Sequence, residues 1–234
     1  MELNEEFRLK IKELDDKISN LKDIENRSTP ILDGIVDINK YVTQDYKIMW
    51  ILKEVNSVDD NDEWDLRDLI TKLKQEYGIL NGWAGTFNPI VYSTYGIVNN
   101  KFWNEIPNTD ADPEIIDVLK QIAYVNIKKI PGGAVVNHTN LLNSYNIQKD
   151  ILKSQIDLFE PNIIICGGTF SYIKNDLILN EFEQIDHFPR NIYYSRDKLI
   201  IDTYHPNNRT ISQEKYCDSI INSVLEWKKM YPKK

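Results

Sequence analysis

The sequence predicts an α/β fold with a mainly parallel sheet, and three observations lead there. Four short apolar runs, 47–52, 123–127, 162–166 and 198–203, are each followed at once by turn-forming or polar residues. These runs are rich in isoleucine and scarcely alternate with polar residues, the mark of strands buried on both faces. Segments with helical periodicity separate them. Strands and helices in alternation build a sheet covered by helices.

The elements can be justified in order. Over residues 3–25, Phe7, Ile11, Leu14, Ile18 and Leu21 recur four and three apart among charged residues, which predicts an N-terminal helix ended by Ser28, Thr29 and Pro30. Its seam suits either packing on the rest of the chain or a short dimerising coiled coil of about three heptads. Residues 1–29 are therefore read as an appended helix and 30–234 as the α/β domain. The first run, KIMWIL, leads into KEVNSVDDND, and a helical pattern follows in WDLRDLITKLKQEYG. PEIIDVLKQI precedes the second run, AYVNI, which leads into KKIPGG. NIQKDILKSQIDLF precedes the third, NIIIC, which leads into Gly167 and Gly168. IYYSRDKLII reads as a hairpin with Ser195–Asp197 near its tip, feeding the fourth run, KLIIDT, and then YHPNNR.

Composition narrows the function classes. A chain of 234 residues, 41% hydrophobic and 27% charged, can bury a sizeable core in one domain. No stretch approaches the ~20 apolar residues that span a bilayer, so no membrane partner is expected. The charged start, MELNEEFRLKIKELDDK, does not read as a secretory leader. Cys166 and Cys217 stand far apart without a CxxC pattern, which argues against a disulfide framework or a thiolate metal site and predicts a cytoplasmic, reducing setting. The net charge of −8 speaks against a protein that coats nucleic acid, since phosphate contacts need lysine and arginine. A local basic strip from Lys128, Lys129, Arg190, Arg196 and Arg209 stays open.

The unusual polar residues fall where strands end. Glu54 follows the first strand, Asn126 ends the second and His205 follows the fourth. Open parallel sheets bind ligands in the crevice outside the carboxyl ends of their strands. Three loops thus point to one site. Asp59, Asp60, Asp62 and Glu63 lack the glycine and terminal glutamate of a calcium loop and read as a solvated acidic stretch, so no metal is assigned. His138 and His187 have no partner at ligand spacing and receive no role.

The segments WILKEVNS, EWDLRDLI, YVNIKKIPGG, QIDLFEPNIIICGGT and DTYHPNNR, in this order, resemble the uracil-DNA glycosylase superfamily, and most closely its thermostable iron–sulfur branch. The resemblance covers residues 47 to about 225. It implies a three-layer sandwich with a four-stranded sheet in the order second, first, third, fourth. It also implies a hydrolase of the N-glycosidic bond that acts on a base flipped out of DNA. Carried over residue by residue, Glu54 manages water or the sugar cation and His205 stabilises the departing base. Asn126 reads the base edge, Trp64 stacks on it with Trp83 and Phe87 as competitors, and Asn207, Asn208, Arg209 and Lys128 touch the nucleic acid.

Three departures matter: Lys53, Asn56 and Ser57 stand where the family pattern has glycine, proline and glycine. Lys53 and Asn56 therefore enter the base-binding set, and the pocket is expected to disfavour plain uracil and take a modified or damaged base. A hydrolase of a free nucleoside or nucleotide, or a binding module without catalysis, are the alternatives. No cofactor is expected, and an iron–sulfur cluster, which usually takes four thiolates, does not suit a chain with two cysteines.

Overall fold

The computed structural model describes residues 5–21, 29–56, 64–133, 137–177, 182–185 and 191–233. Among these residues seven strands form one sheet: β1 (Gly34–Ile35), β2 (Ile48–Leu52), β3 (Ile122–Asn126), β4 (Ile163–Gly167), β5 (Glu183–Ile185), β6 (Ile192–Tyr194) and β7 (Leu199–Thr203). Their spatial order is β1-β3-β2-β4-β7-β6-β5. The pairs β3–β2, β2–β4 and β4–β7 are parallel, while β1, β6 and β5 add antiparallel edges.

The expectation of a four-stranded sheet is corrected: the sheet is larger and mixed. The four runs read from the sequence are its inner parallel strands. Of the additions, β6 is the first arm of the hairpin read at IYYSRDKLII, whereas β1 and β5 had little signal, because β1 has two residues and β5 is exposed throughout. Ser195 N–H closes the β6–β7 hairpin on the Lys198 carbonyl at 2.8 Å.

The helices are α1 (Glu5–Ser19), α2 (Ile38–Val42), α3 (Leu66–Thr71), α4 (Ala84–Asn99), α5 (His138–Phe159), α6 (Phe170–Ile173) and α7 (Gln213–Met230), with 3-10 segments at Trp103–Glu105 and Pro113–Gln121. Side-chain oxygens of Asp37, Asp65, Asn137 and Ser212 accept backbone N–H groups at the starts of α2, α3, α5 and α7, satisfying donors that a helix leaves open. Two expectations are corrected here. The helical pattern at 64–78 yields only the short α3, because the chain turns back through the Lys74–Ile79 bridge at Gly78. The pattern at 113–122 winds as a 3-10 segment behind Asp112 and Pro113.

Side chains on alternate positions of a strand face opposite layers. Ile48, Trp50, Leu52, Ile122, Tyr124, Ile163, Ile165, Leu199 and Ile201 pack with α3, α4, α7 and the 113–121 segment. Met49, Ile51, Ala123, Val125, Ile164, Cys166 and Ile200 pack with α1, α5 and α6. The result is helix, sheet, helix. In the first layer α4 and α7 approach so closely that a Cβ on Gly96 would sit 2.4 Å from Ile221 Cδ1.

The apolar seam of α1 is used within the chain. Ile11, Leu14 and Ile18 are 6%, 5% and 0% exposed, and Arg67 clamps Asp15 through both guanidinium nitrogens. A homodimer through that seam is therefore not supported, since the residues that would carry it already pack on their own domain. No helix among the described residues is long and apolar enough to cross a membrane.

One buried polar network ties the layers. Lys129 Nζ, 1% exposed, meets both Asp33 oxygens at 2.7 and 2.9 Å and Gln155 Oε1 at 2.8 Å. Asp33 also accepts the Asn126 N–H at 2.7 Å and Gln155 Nε2 at 2.9 Å, and Gln148 Oε1 takes the Lys129 N–H at 2.8 Å. Burial pushes the Lys129 ammonium pKa down, against the opposing pull of Asp33. Removing one partner of such a pair strands the other's charge. Lys129→Met should cost about 3–5 kcal/mol, read by urea denaturation, whereas Lys149→Met, at an exposed pair with Asp176, should cost less than about 1 kcal/mol.

Candidate functional site

The inner strands end side by side, and the residues singled out from the sequence line that edge. From β3 to β7 the order is Asn126 and Lys128, then Lys53 and Glu54, then Gly167 and Gly168, then His205. With strands about 4.8 Å apart, the ends of β3 and β7 lie about 14 Å from each other.

Asn126 faces the α4 layer, in step with Ile122 and Tyr124. It is 2% exposed, and its Oδ1 is buried with no hydrogen-bond partner among the described residues. An orphaned buried carbonyl costs about 1–3 kcal/mol. The Asp33 bond to its N–H holds the residue in place despite that cost.

Glu54 is not the solvated carboxylate its loop suggests. Its side chain is 6% exposed, and Lys128 Nζ donates to Oε2 at 2.5 Å. The 53–56 and 127–132 segments continue the sheet's ladder beyond β2 and β3, through Lys128 N to Lys53 O, Gly132 N to Val55 O and the Asn56–Gly132 bridge. The carboxylate lies over Gly132, where a Cβ would stand 2.2 Å from Glu54 Cδ. Lys128, expected to touch nucleic acid, is here the counter-ion that sets the direction of Glu54. Asn56 is exposed on this ladder.

Lys53 turns the other way, towards β4 and β7. Its Cε lies 3.5 Å from the position a Cβ would take on Gly168, whose φ of +73° suits glycine, and the His205 backbone N lies 3.3 Å from that position. Among the described residues Lys53 forms no ion pair.

His205 has a defined tautomer. The Asn207 N–H donates to Nδ1 at 3.1 Å, so the neutral ring carries its proton on Nε2. Burial first, and the nearby Lys53 charge second, push its pKa down to about 4. Tyr204 O accepts the Tyr216 hydroxyl at 3.0 Å, anchoring this loop to α7. Asn208 Oδ1 accepts the N–H groups of Thr210 and Ile211 and so holds the turn together. The Asn207 side chain packs on Gly85, beside a cleft of about 250 Å³ that also involves Asn88, Pro206, Asn208 and Gln213. Arg209 is exposed beyond it.

The aromatic candidates form a ladder. Tyr124 stacks on Phe87 at 5.4 Å, Phe87 leans on Trp83 at 5.9 Å, and Trp83 meets Trp64 edge-on at 6.3 Å. Phe87 is fully buried and unavailable to a ligand, whereas Trp64 and Trp83 are half-buried. Two residues given no part in the sequence reading also stand at this edge. His138, the first residue of α5, hydrogen-bonds the Tyr172 hydroxyl through Nδ1 and stacks on its ring. Burial and the charge of Glu54 raise the Tyr172 pKa. They lie on separate elements, so no sequence spacing links them.

Among the described residues the basic strip does not form. Lys129 is buried on Asp33, Lys128 is paired with Glu54, and Arg196 sits at the hairpin tip beside Asn162, at the opposite end of the strands. Ser57, Asp59, Asp60, Asp62, Glu63, His187 and Arg190 lie outside the described residues. Comparison with protein-family models and with curated proteins finds no match to this chain.

The His205 environment gives a pH prediction. Its folded pKa of about 4 lies below the ordinary 6.5, so the unfolded chain binds the proton more readily. The stability tied to the neutral ring is complete above pH 6.5 and is lost as pH falls from 6.5 towards 4, a loss of about 3 kcal/mol at most. Imidazole NMR should show His205 titrating near 4, and His205→Gln should flatten the stability slope between pH 6.5 and 4.

Proposed function

We propose that this chain is a hydrolase of the N-glycosidic bond, of the uracil-DNA-glycosylase kind, acting on an uncommon or modified base. The carrying observation is the buried Asn126 Oδ1 without a partner, two residues beyond the strand position from which the aromatic ladder runs outward. An amide held at that cost is a reader of a polar edge, and half-buried Trp64 or Trp83 supplies an apolar wall for a planar ring.

The remaining groups fit the chemistry. The C1′–N bond breaks with its electron pair moving onto the base, and His205 Nε2–H is a donor aimed at the charge that grows there. Glu54, paired with Lys128 through one oxygen, stabilises the oxocarbenium-like sugar and orients the attacking water with its other oxygen. The water oxygen bonds to C1′ and its proton passes to the released base. A target base in DNA would reach this edge by flipping out of the stack.

The broken basic strip favours a second reading on the same chemistry, a free nucleoside or nucleotide as substrate, because few unpaired cations among the described residues line this edge to hold a phosphate backbone. One experiment separates the two. Single- and double-stranded oligonucleotides bearing modified bases, and the matching free nucleosides, are scored for released base. Cleavage is expected in one class, lowered about 10²–10³-fold in kcat/KM by His205→Ala and about 10–100-fold by Asn126→Ala. Ordinary uracil should be a poor substrate until Lys53→Gly opens the loop. Wild-type release no greater than that of Glu54→Gln on every substrate would refute hydrolysis.

A further inference from the structure

We infer that Lys53 and His205 together form an oxyanion site on the β4–β7 side of this edge, which selects ligands carrying a negative oxygen. The inference rests on reading the edge as a ligand site, and it does not require cleavage. Lys53 and Glu54 are neighbours in sequence, yet their charges are not matched to each other. Glu54 is neutralised by Lys128 at 2.5 Å. Lys53 points across Gly168 to His205 and forms no ion pair among the described residues.

The histidine cannot supply the missing negative charge. Its Nδ1 is occupied by the Asn207 N–H, which leaves Nε2–H as a second donor. Gly168 lies between the two side chains and has no Cβ to separate them, and its own N–H is committed to the Cys166 and Thr203 carbonyls at 2.9 and 2.8 Å. Among the described residues, a cation and a fixed neutral donor therefore flank Gly168 without an ion-pair partner for the cation. Half-buried charges are screened less than exposed ones, so an anionic oxygen entering there gains both a charge-assisted hydrogen bond and a neutral one. The shared chemistry is an oxyanion, borne either by a phosphate group or by an ionised base.

The test uses the full chain, with inorganic phosphate, orotate (an anionic pyrimidine) and neutral uracil as probes. Binding is followed by calorimetry and by the His205 imidazole resonances. At least one anion is expected to bind at least about tenfold more tightly than uracil and to raise the His205 pKa, because it offsets the Lys53 charge. Lys53→Gln should abolish both effects and Lys53→Arg should keep them, while Lys149→Gln, on α5, should change neither. Phosphate binding without orotate identifies a phosphate group as the source, and orotate without phosphate identifies the base. Equal anion binding in Lys53→Gln would show an adventitious ion only and overturn the inference, as would uracil binding as tightly as both anions. A protein that cleaves modified bases without Lys53-dependent anion binding sinks this inference alone. One that binds anions through Lys53 but cleaves nothing sinks the hydrolase reading alone.

Discussion

The Asp33–Lys129 ion pair is the constraint on which the rest of the architecture depends. It joins the segment leading into β1, the loop after β3 and the inner face of α5 in one buried network. Taking two charges out of water is unfavourable, and the attraction between them offsets that only when the remaining polar atoms are satisfied. Gln148 and Gln155 from α5 and the Asn126 N–H provide those bonds. The network therefore does more than join layers: it sets the height at which β3 ends, and so the position of the Asn126 side chain.

The same edge shows how neighbouring residues with opposite charges are kept apart. Past β2 the chain runs in ladder with the segment after β3, which turns Glu54 towards Lys128 and Gly132. Lys53 is turned towards Gly168 and His205. One flank is an ion pair, the other a lysine with no ion pair among the described residues, beside a neutral imidazole. A site with that polarity suits a reaction in which positive charge develops on one part of the ligand and negative charge on another. Tyr172, paired with His138, stands near enough to this flank for the Glu54 charge to raise its pKa.

Much of this was legible in the sequence, and what was not has physical reasons. The inner strands announced themselves because KIMWIL, AYVNI, NIIIC and KLIIDT are apolar on both faces. β1 and β5 did not, being too short or too exposed to leave a pattern. Helix α4 was missed because AGTFNPIVYSTYGIVN is apolar nearly all round, contains Gly85, Pro89 and Gly96, and shows no amphipathic stripe. The positions of Glu54, Asn126 and His205 at one edge followed from the rule that crevices form beyond carboxyl ends. Their partners did not follow, because Lys128, Gly132, Tyr172 and Asp33 come from separate elements that only the folded chain brings together. Lys53 and Glu54, though adjacent, do not pair with each other, because successive residues on an extended backbone point to opposite sides.

The close contact at Gly96 has a mechanical meaning. The loop bearing His205 touches α4 through Asn207 on Gly85 and α7 through Tyr204 on Tyr216. Those two helices are locked to each other where Gly96 admits Ile221. The loop that carries the imidazole therefore rests on a packed helix pair, with the ring itself held by the Asn207 N–H. On the proposed reading, a ligand arriving at β7 would meet a loop already ordered, and its affinity would not be diminished by the entropy of ordering one.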